Sequence, residues 1–74
     1  KEKLSDAKTH LQKAIQLDPK FHEAYFNLAL INLEQKNLEE AKRNIEKAVK
    51  IKPNQQKYSE LLSEINRQLQ LNGG

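Results

Sequence analysis

Apolar residues recur every three or four positions in four segments of the chain, and this spacing predicts four helices. The first segment ends at Pro19, and the third, about residues 38–51, is stopped by Pro53, because proline cannot continue a helix in its interior. The second, about residues 22–35, is apolar on more than one face and should be covered on several sides. The fourth covers about residues 55–71. Because the links are only a few residues long, successive helices are expected to lie antiparallel as hairpins.

The two segments that end at the prolines repeat one pattern thirty-four residues apart. Residues 4–19 read LSDAKTHLQKAIQLDP and residues 38–53 read LEEAKRNIEKAVKIKP, and the register holds without a gap. The apolar stripes correspond position for position: Leu4 with Leu38, Ala7 with Ala41, Leu11 with Ile45 and Ala14 with Ala48. An internal repeat of this period is typical of stacked helix pairs.

Residues 22–54 closely resemble one complete tetratricopeptide repeat, a thirty-four-residue helix–turn–helix unit. The residues at the family's signature places are Tyr25, Leu28, Ala29, Ala41, Ile45, Ala48 and Pro53, together with Ala7, Leu11, Ala14 and Pro19 of the preceding segment. Small residues among them let helices approach closely, while larger ones fill the spaces between. This signature is therefore structural rather than catalytic.

The resemblance implies an all-α fold, an antiparallel helix-hairpin solenoid of about four helices in a right-handed superhelical stack. We expect a single domain over residues 1–71 and a flexible tail over 72–74. Within the domain, residues 1–19 resemble the second helix of one repeat, 22–54 a full repeat and 55–71 a capping helix. The chain begins without Met and in mid-pattern, which indicates a fragment of a longer protein.

Three departures from the family pattern carry expectations of their own. Lys36, followed by Asn37, stands where the family often has Gly, so one of the two residues should take a left-handed conformation at some cost. Asn32 stands where the family has a Tyr, late in the first helix of the repeat. Ser59 stands at the tryptophan place of the last helix, which favours a cap with a polar outer face over the start of another full repeat.

The resemblance also implies a protein–protein interaction module, or scaffold, that binds a partner peptide or helix on the concave face lined by the first helix of each repeat. The residues expected to contact the partner are Phe26, Asn27, Leu30, Leu33, Glu34 and Lys57. The alternative for Phe26, Leu30 and Leu33 is that they are buried by a neighbouring helix or by a repeat outside this sequence. The alternative function is self-association, since about two repeats' worth of helices is less than the three or more units that a stack normally needs.

Some members of the family clamp the acidic C-terminus of heat-shock chaperones with Lys, Asn and Arg side chains. Asn27 and Lys57 match two of those places, but Leu61 stands where the Arg should be. Without a bidentate Arg, carboxylate recognition would be weak. The sequence therefore disfavours this clamp.

Composition narrows the other classes of function. The net charge of +3 comes from interspersed charges. The basic stretch Lys42–Lys52 follows Glu39 and Glu40, is interrupted by Glu46 and contains no aromatic, so binding to nucleic acid or to an anionic lipid surface is disfavoured. No apolar run approaches the ~20 residues of a membrane span.

Without cysteine the chain can form neither a disulfide nor a thiolate metal site. The sequence therefore does not identify the compartment, and the cytoplasm is mildly preferred. His10 and His22 are expected at the surface.

No phosphate-binding Gly-rich loop, metal-binding His-Glu pair or nucleophile with an evident base occurs in the chain. We therefore expect no enzyme activity, no cofactor and no metal site. The 74 residues are near the size at which one core supplies only about 3–5 kcal/mol of net stability.

Overall fold

A computed structural model describes residues 2–73, and in that range the chain is all helix and turn, with no strand. The four helices are α1 (Glu2–Leu17), α2 (His22–Glu34), α3 (Leu38–Ile51) and α4 (Gln56–Gly73). Each packs against the next in chain order, as expected for hairpins. The predicted all-α stack of helical hairpins is therefore confirmed.

The repeat visible in the sequence reappears in the backbone hydrogen bonds of the two proline turns. In the first turn the Phe21 amide donates to the Asp18 carbonyl at 3.0 Å. In the second turn, thirty-four residues later, the Gln55 amide donates to the Lys52 carbonyl at 3.4 Å. Proline occupies the second position of each turn, where its fixed φ suits the bend. Equivalent sequences therefore build equivalent links between the helix pairs.

The turn between α2 and α3 places Lys36 in the left-handed region, with φ of 61°. The Lys36 amide donates to the Leu33 carbonyl at 2.9 Å and the Asn37 amide to the Asn32 carbonyl at 2.8 Å. This pair of bonds is the Schellman motif, which satisfies the last carbonyls of a helix. The expected left-handed residue is thus Lys36, and it carries the conformational cost that a glycine would avoid.

The Cα envelope measures 37 × 32 × 15 Å. A thickness of 15 Å corresponds to two helix layers, because packed helix axes lie about 8–10 Å apart. Lys8 of α1 forms an ion pair with Glu40 of α3, while Phe26 of α2 contacts Tyr58 of α4. Hence α1 and α3 are neighbours in one layer, and α2 and α4 are neighbours in the other.

The core lies where α2, α3 and α4 meet. Its buried side chains are Tyr25, Ala29, Ala41, Ile45, Ala48, Tyr58 and Ile65. The alanines of this core are fully buried, and because their side chains are small the helix backbones can approach closely. The corresponding residues of α1, Ala7, Leu11 and Ala14, are only half-buried.

α4 begins one residue after the predicted start and continues two residues beyond the predicted end at Leu71. Residues 72 and 73 of the expected flexible tail belong to this helix, and Gly74 lies outside the described residues. The outer side of α4 carries exposed Ser59, Ser63 and Asn66. None of the helices in residues 2–73 has the length and apolar character needed to cross a membrane.

Candidate functional site

α2 and α4 together present a surface with an apolar stripe along one of its two helices. We call this surface the α2–α4 face: Phe26, Leu30 and Leu33 of α2 beside Lys57 and Gln68 of α4. The α2 residues share a side because they are spaced by three or four positions. Of the residues expected to bind a partner, the face brings together the three apolar ones and Lys57.

The first end of the face is closed by aromatic rings. The Phe26 and Tyr58 ring centroids lie 5.0 Å apart at an interplanar angle of 33°. The Lys57 ammonium lies 5.3 Å from the Phe26 centroid and 5.9 Å from that of Tyr58, within cation–π range. Phe26 is half-buried as a result, so its ring both supports the core and forms a wall of the surface.

Tyr58 is fully buried at this end and bonds across to the start of α2. Its hydroxyl and the His22 Nδ1 lie 2.6 Å apart, and His22, expected at the surface, is half-buried beside it. Burial raises the pKa of the Tyr58 phenol above its usual 10.0, and the nearby charge of Glu23 raises it further. The phenol is therefore neutral at physiological pH, and it donates to His22 when that nitrogen carries no proton.

The middle of the face is open. Leu30 is 42% exposed, although it lies between the half-buried Phe26 and Leu33 on the same stripe. The alternative of burial by a neighbouring helix therefore applies in part to Phe26 and Leu33, and within this chain it does not apply to Leu30. An exposed leucine within an apolar stripe is a surface that a partner side chain can cover.

The second end of the face opens into a cavity of about 430 Å³ lined by Leu33, Lys36, Leu38 and Gln68. Leu33 and Leu38 supply apolar walls, while Lys36 and Gln68 supply polar groups at the mouth. Half of the lining residues are polar, so the cavity offers hydrogen-bonding groups as well as apolar contacts to a ligand. The left-handed turn at Lys36 places that side chain at the rim.

Charged groups on α4 next to this cavity are already paired. Both Glu64 carboxylate oxygens accept from the Arg67 Nη2, at 2.6 and 2.7 Å, and Gln68 donates to one of them at 2.9 Å. The Arg67 hydrogen bonds, and then that of Gln68, lower the pKa of Glu64, while Glu64 raises the pKa of Arg67. Arg67 is therefore occupied within the chain.

The two remaining residues expected at the site, Asn27 and Glu34, are exposed on α2. The sequence reasoning did not anticipate that Tyr58 would close the face together with His22. A signal for Tyr58 existed, because thirty-four residues earlier the repeat has the small Ala24 at that place. The larger Tyr58 ring cannot occupy the space of an alanine, and it packs against Phe26 and His22 of α2.

α2 and α3 are also joined by a buried amide pair. Asn32 has no exposed surface, and its Oδ1 accepts from the Asn44 Nδ2 at 2.7 Å. The Asn32 Nδ2 finds no partner among the described residues. Because a buried donor without a partner costs about 1–3 kcal/mol, the Asn32 Nδ2 offsets the stabilisation that the hydrogen bond from Asn44 contributes. The amide pair lies inside the hairpin and takes no part in the α2–α4 face.

Clusters of three or more metal-binding side chains do not occur within residues 2–73. A family model described as tetratricopeptide repeat matches residues 1–65, which is most of the chain. No curated protein matches the sequence.

Proposed function

The chain belongs to the tetratricopeptide repeat family, and from that premise we propose that it binds a partner peptide or helix on a concave face formed by α2 and α4. Members of this family generally bind proteins or peptides and are typically non-catalytic scaffolds, and the chain is an interaction module of this general kind. The partner-binding residues in this proposal are Phe26, Asn27, Leu30, Leu33, Glu34 and Lys57.

The observation that carries the proposal is the exposure of Leu30 in the middle of an apolar stripe. Phe26 at one end and the cavity beside Leu33 at the other bound a strip that about two turns of a partner helix could cover. Covering the exposed part of one leucine side chain contributes about 1 kcal/mol, so the remainder of the ~8 kcal/mol of a micromolar complex must come from contacts along the rest of the face.

The test compares two matched leucine substitutions. Leu30→Glu places a charge on the stripe, and because Leu30 is exposed the helices should stay folded, as circular dichroism would verify. Leu17→Glu makes the same change on α1, where the leucine is 89% exposed and outside the face. Proteins captured from a lysate by the wild type and by Leu17→Glu, but not by Leu30→Glu, would bind through the face. Equal capture by all three chains would rule this face out.

Self-association is a second candidate function, favoured by a different observation. Leu17 and Leu71 are 89% and 73% exposed, and the α1 stripe is only half-buried, so apolar surface remains at both ends of the stack. Sedimentation velocity at increasing protein concentration tests this candidate. A rising sedimentation coefficient that Leu17→Glu abolishes would support it, and a constant monomer value would refute it.

A further inference from the structure

The charge of the helix layer that forms the α2–α4 face is opposite to that of the whole chain. α2 and α4 carry four carboxylates, Glu23, Glu34, Glu60 and Glu64, and two basic side chains, Lys57 and Arg67. With His22 neutral, their net charge is −2, whereas the complete chain carries +3. The positive charge therefore lies on the other layer and in the turns, and one of these basic side chains, Lys36, lines the cavity at the second end of the face.

The basic groups on this layer are engaged, while three of its carboxylates have no cationic partner. Lys57 lies over two aromatic rings, and Arg67 is held by Glu64. Within residues 2–73 the ion pairs are Lys8–Glu40 and Glu64–Arg67. Glu23, Glu34 and Glu60 take part in neither and are exposed.

The repeat places an acidic row beside the apolar one. The residues thirty-four positions after Phe26 and Leu30 are Glu60 and Glu64. The residue that corresponds to Leu33 is Arg67, which is paired with Glu64, so two of the three stripe positions carry carboxylates on the adjacent α4. Equivalent positions of stacked repeats follow one another across the same surface. Glu23, three residues before Phe26, lies close enough to Tyr58 to act on its phenol. A ligand on the face therefore meets one apolar wall and, apart from Lys36 at the cavity, an acidic border.

We propose that the partner of the α2–α4 face is an apolar and basic segment, an amphipathic helix or peptide that carries Lys or Arg beside its apolar stripe. This inference rests on the proposed function. Its apolar residues cover Leu30 and fill the cavity at Leu33, and its basic residues face Glu23, Glu34 and Glu60. An acidic segment would meet like charges, which lowers both the association rate and the affinity.

The test uses the complete chain and three labelled peptides of about 18 residues, or five helical turns. All three share one leucine stripe, and their remaining positions are Lys, Gln or Glu in alternation with Ala. Fluorescence anisotropy should show the Lys peptide binding about tenfold tighter than the Glu peptide at low salt. The preference should shrink at 0.15 M salt, where the Debye length falls to about 8 Å. Since the chain is positive overall, its net charge alone would favour the Glu peptide.

Two triple variants with the same change in charge locate the effect. Glu23→Gln, Glu34→Gln and Glu60→Gln together should reduce the preference for the Lys peptide to about threefold or less. The control replaces exposed acids of the other layer, by Asp6→Asn, Glu39→Gln and Glu46→Gln, and should keep the preference. Failure of the Lys peptide to bind, equal binding of the Lys and Glu peptides, or an equal loss in the control would overturn the inference.

The same titrations separate this inference from the proposed function. These titrations use Leu30→Ser, which removes the apolar contact without adding a charge to the face. If Leu30→Ser weakens every peptide equally and charge makes no difference, the face binds peptides but the basic partner is wrong. If binding is insensitive to Leu30→Ser, the proposed function itself fails. Weaker binding of the Lys peptide to Leu30→Ser, together with the charge preference, would support both.

Discussion

α1 and α3 have nearly the same apolar pattern, yet they differ in how deeply it is buried. Ala41, Ile45 and Ala48 of α3 have no exposed surface, whereas Ala7, Leu11 and Ala14 of α1 are half-buried. The difference comes from the neighbours: α3 packs between α2 and α4, while α1 packs mainly on α2. An apolar stripe predicts which side of a helix can be buried. The neighbouring helices determine what fraction of that side is actually buried.

Truncation of the central residue of each stripe should produce the largest contrast. Ile45→Ala opens a cavity in a closed site and should cost about 2–5 kcal/mol. Leu11→Ala removes a half-exposed side chain and should cost about 1 kcal/mol. Urea unfolding followed by circular dichroism measures both. Since the total stability expected for this size is about 3–5 kcal/mol, Ile45→Ala should be largely unfolded, and similar losses in the two variants would contradict the comparison.

Enlargement of an alanine tests the same difference in the opposite direction. Ala41→Leu should overpack the contact among α2, α3 and α4 and cost about 1–3 kcal/mol. Ala7→Leu, at the equivalent position of α1, should stay within about 0.5 kcal/mol, since its surroundings are half open. Thermal unfolding of the two variants should therefore separate, with Ala41→Leu melting lower. Coincident melting curves would mean that α3 is no more tightly enclosed than α1.

The last residues of the two helices offer a smaller contrast. Ile51 is half-buried against the core, whereas its equivalent Leu17 is 89% exposed. Ile51→Ser should cost about 1 kcal/mol and Leu17→Ser less than about 0.5 kcal/mol. Both substitutions lie at a helix end before a proline turn, so each controls for the helix propensity of the other. A larger loss at Leu17 would show that this leucine is covered in solution.

Alkaline pH should weaken the packing of α4 on α3, because Tyr58 of α4 is buried in the core. The pKa of buried Tyr58 is raised above 10.0, so the folded state favours the neutral phenol. Stability from this group is complete below pH 10 and is lost as the pH rises through the raised pKa. Unfolding free energies measured between pH 8 and 11 should therefore fall at the alkaline end. Tyr58→Phe should flatten that fall, and an unchanged profile would remove Tyr58 as its cause.

Much of the fold follows from periodicity and punctuation in the sequence. Leu38–Ile51 is the predicted third helix, α2 ends one residue before the predicted end, and Lys36 is one of the two residues named for the left-handed turn. These features are local: the spacing of apolar residues sets each helix, and proline or the link length sets each turn. Local signals suffice here because the fold is built from neighbouring hairpins.

The contacts that shape the candidate site could not be predicted in the same way. The bond between His22 and Tyr58 joins residues thirty-six positions apart, and it depends on how α4 lies against α2. The partial burial of Phe26 has the same origin. Periodicity identifies the apolar side of a helix, but it does not say which ring of another helix will reach it.

The packing of each helix on its neighbour in the chain also bears on how the protein folds. Few distant segments must meet before contacts begin to stabilise the chain, so little loop entropy is lost before the first hairpin forms. The hairpin of α2 and α3 holds most of the core and is the natural nucleus, with α4 and then α1 added at its sides. Folding should therefore be complete within microseconds to milliseconds, the range of helical proteins with local contacts.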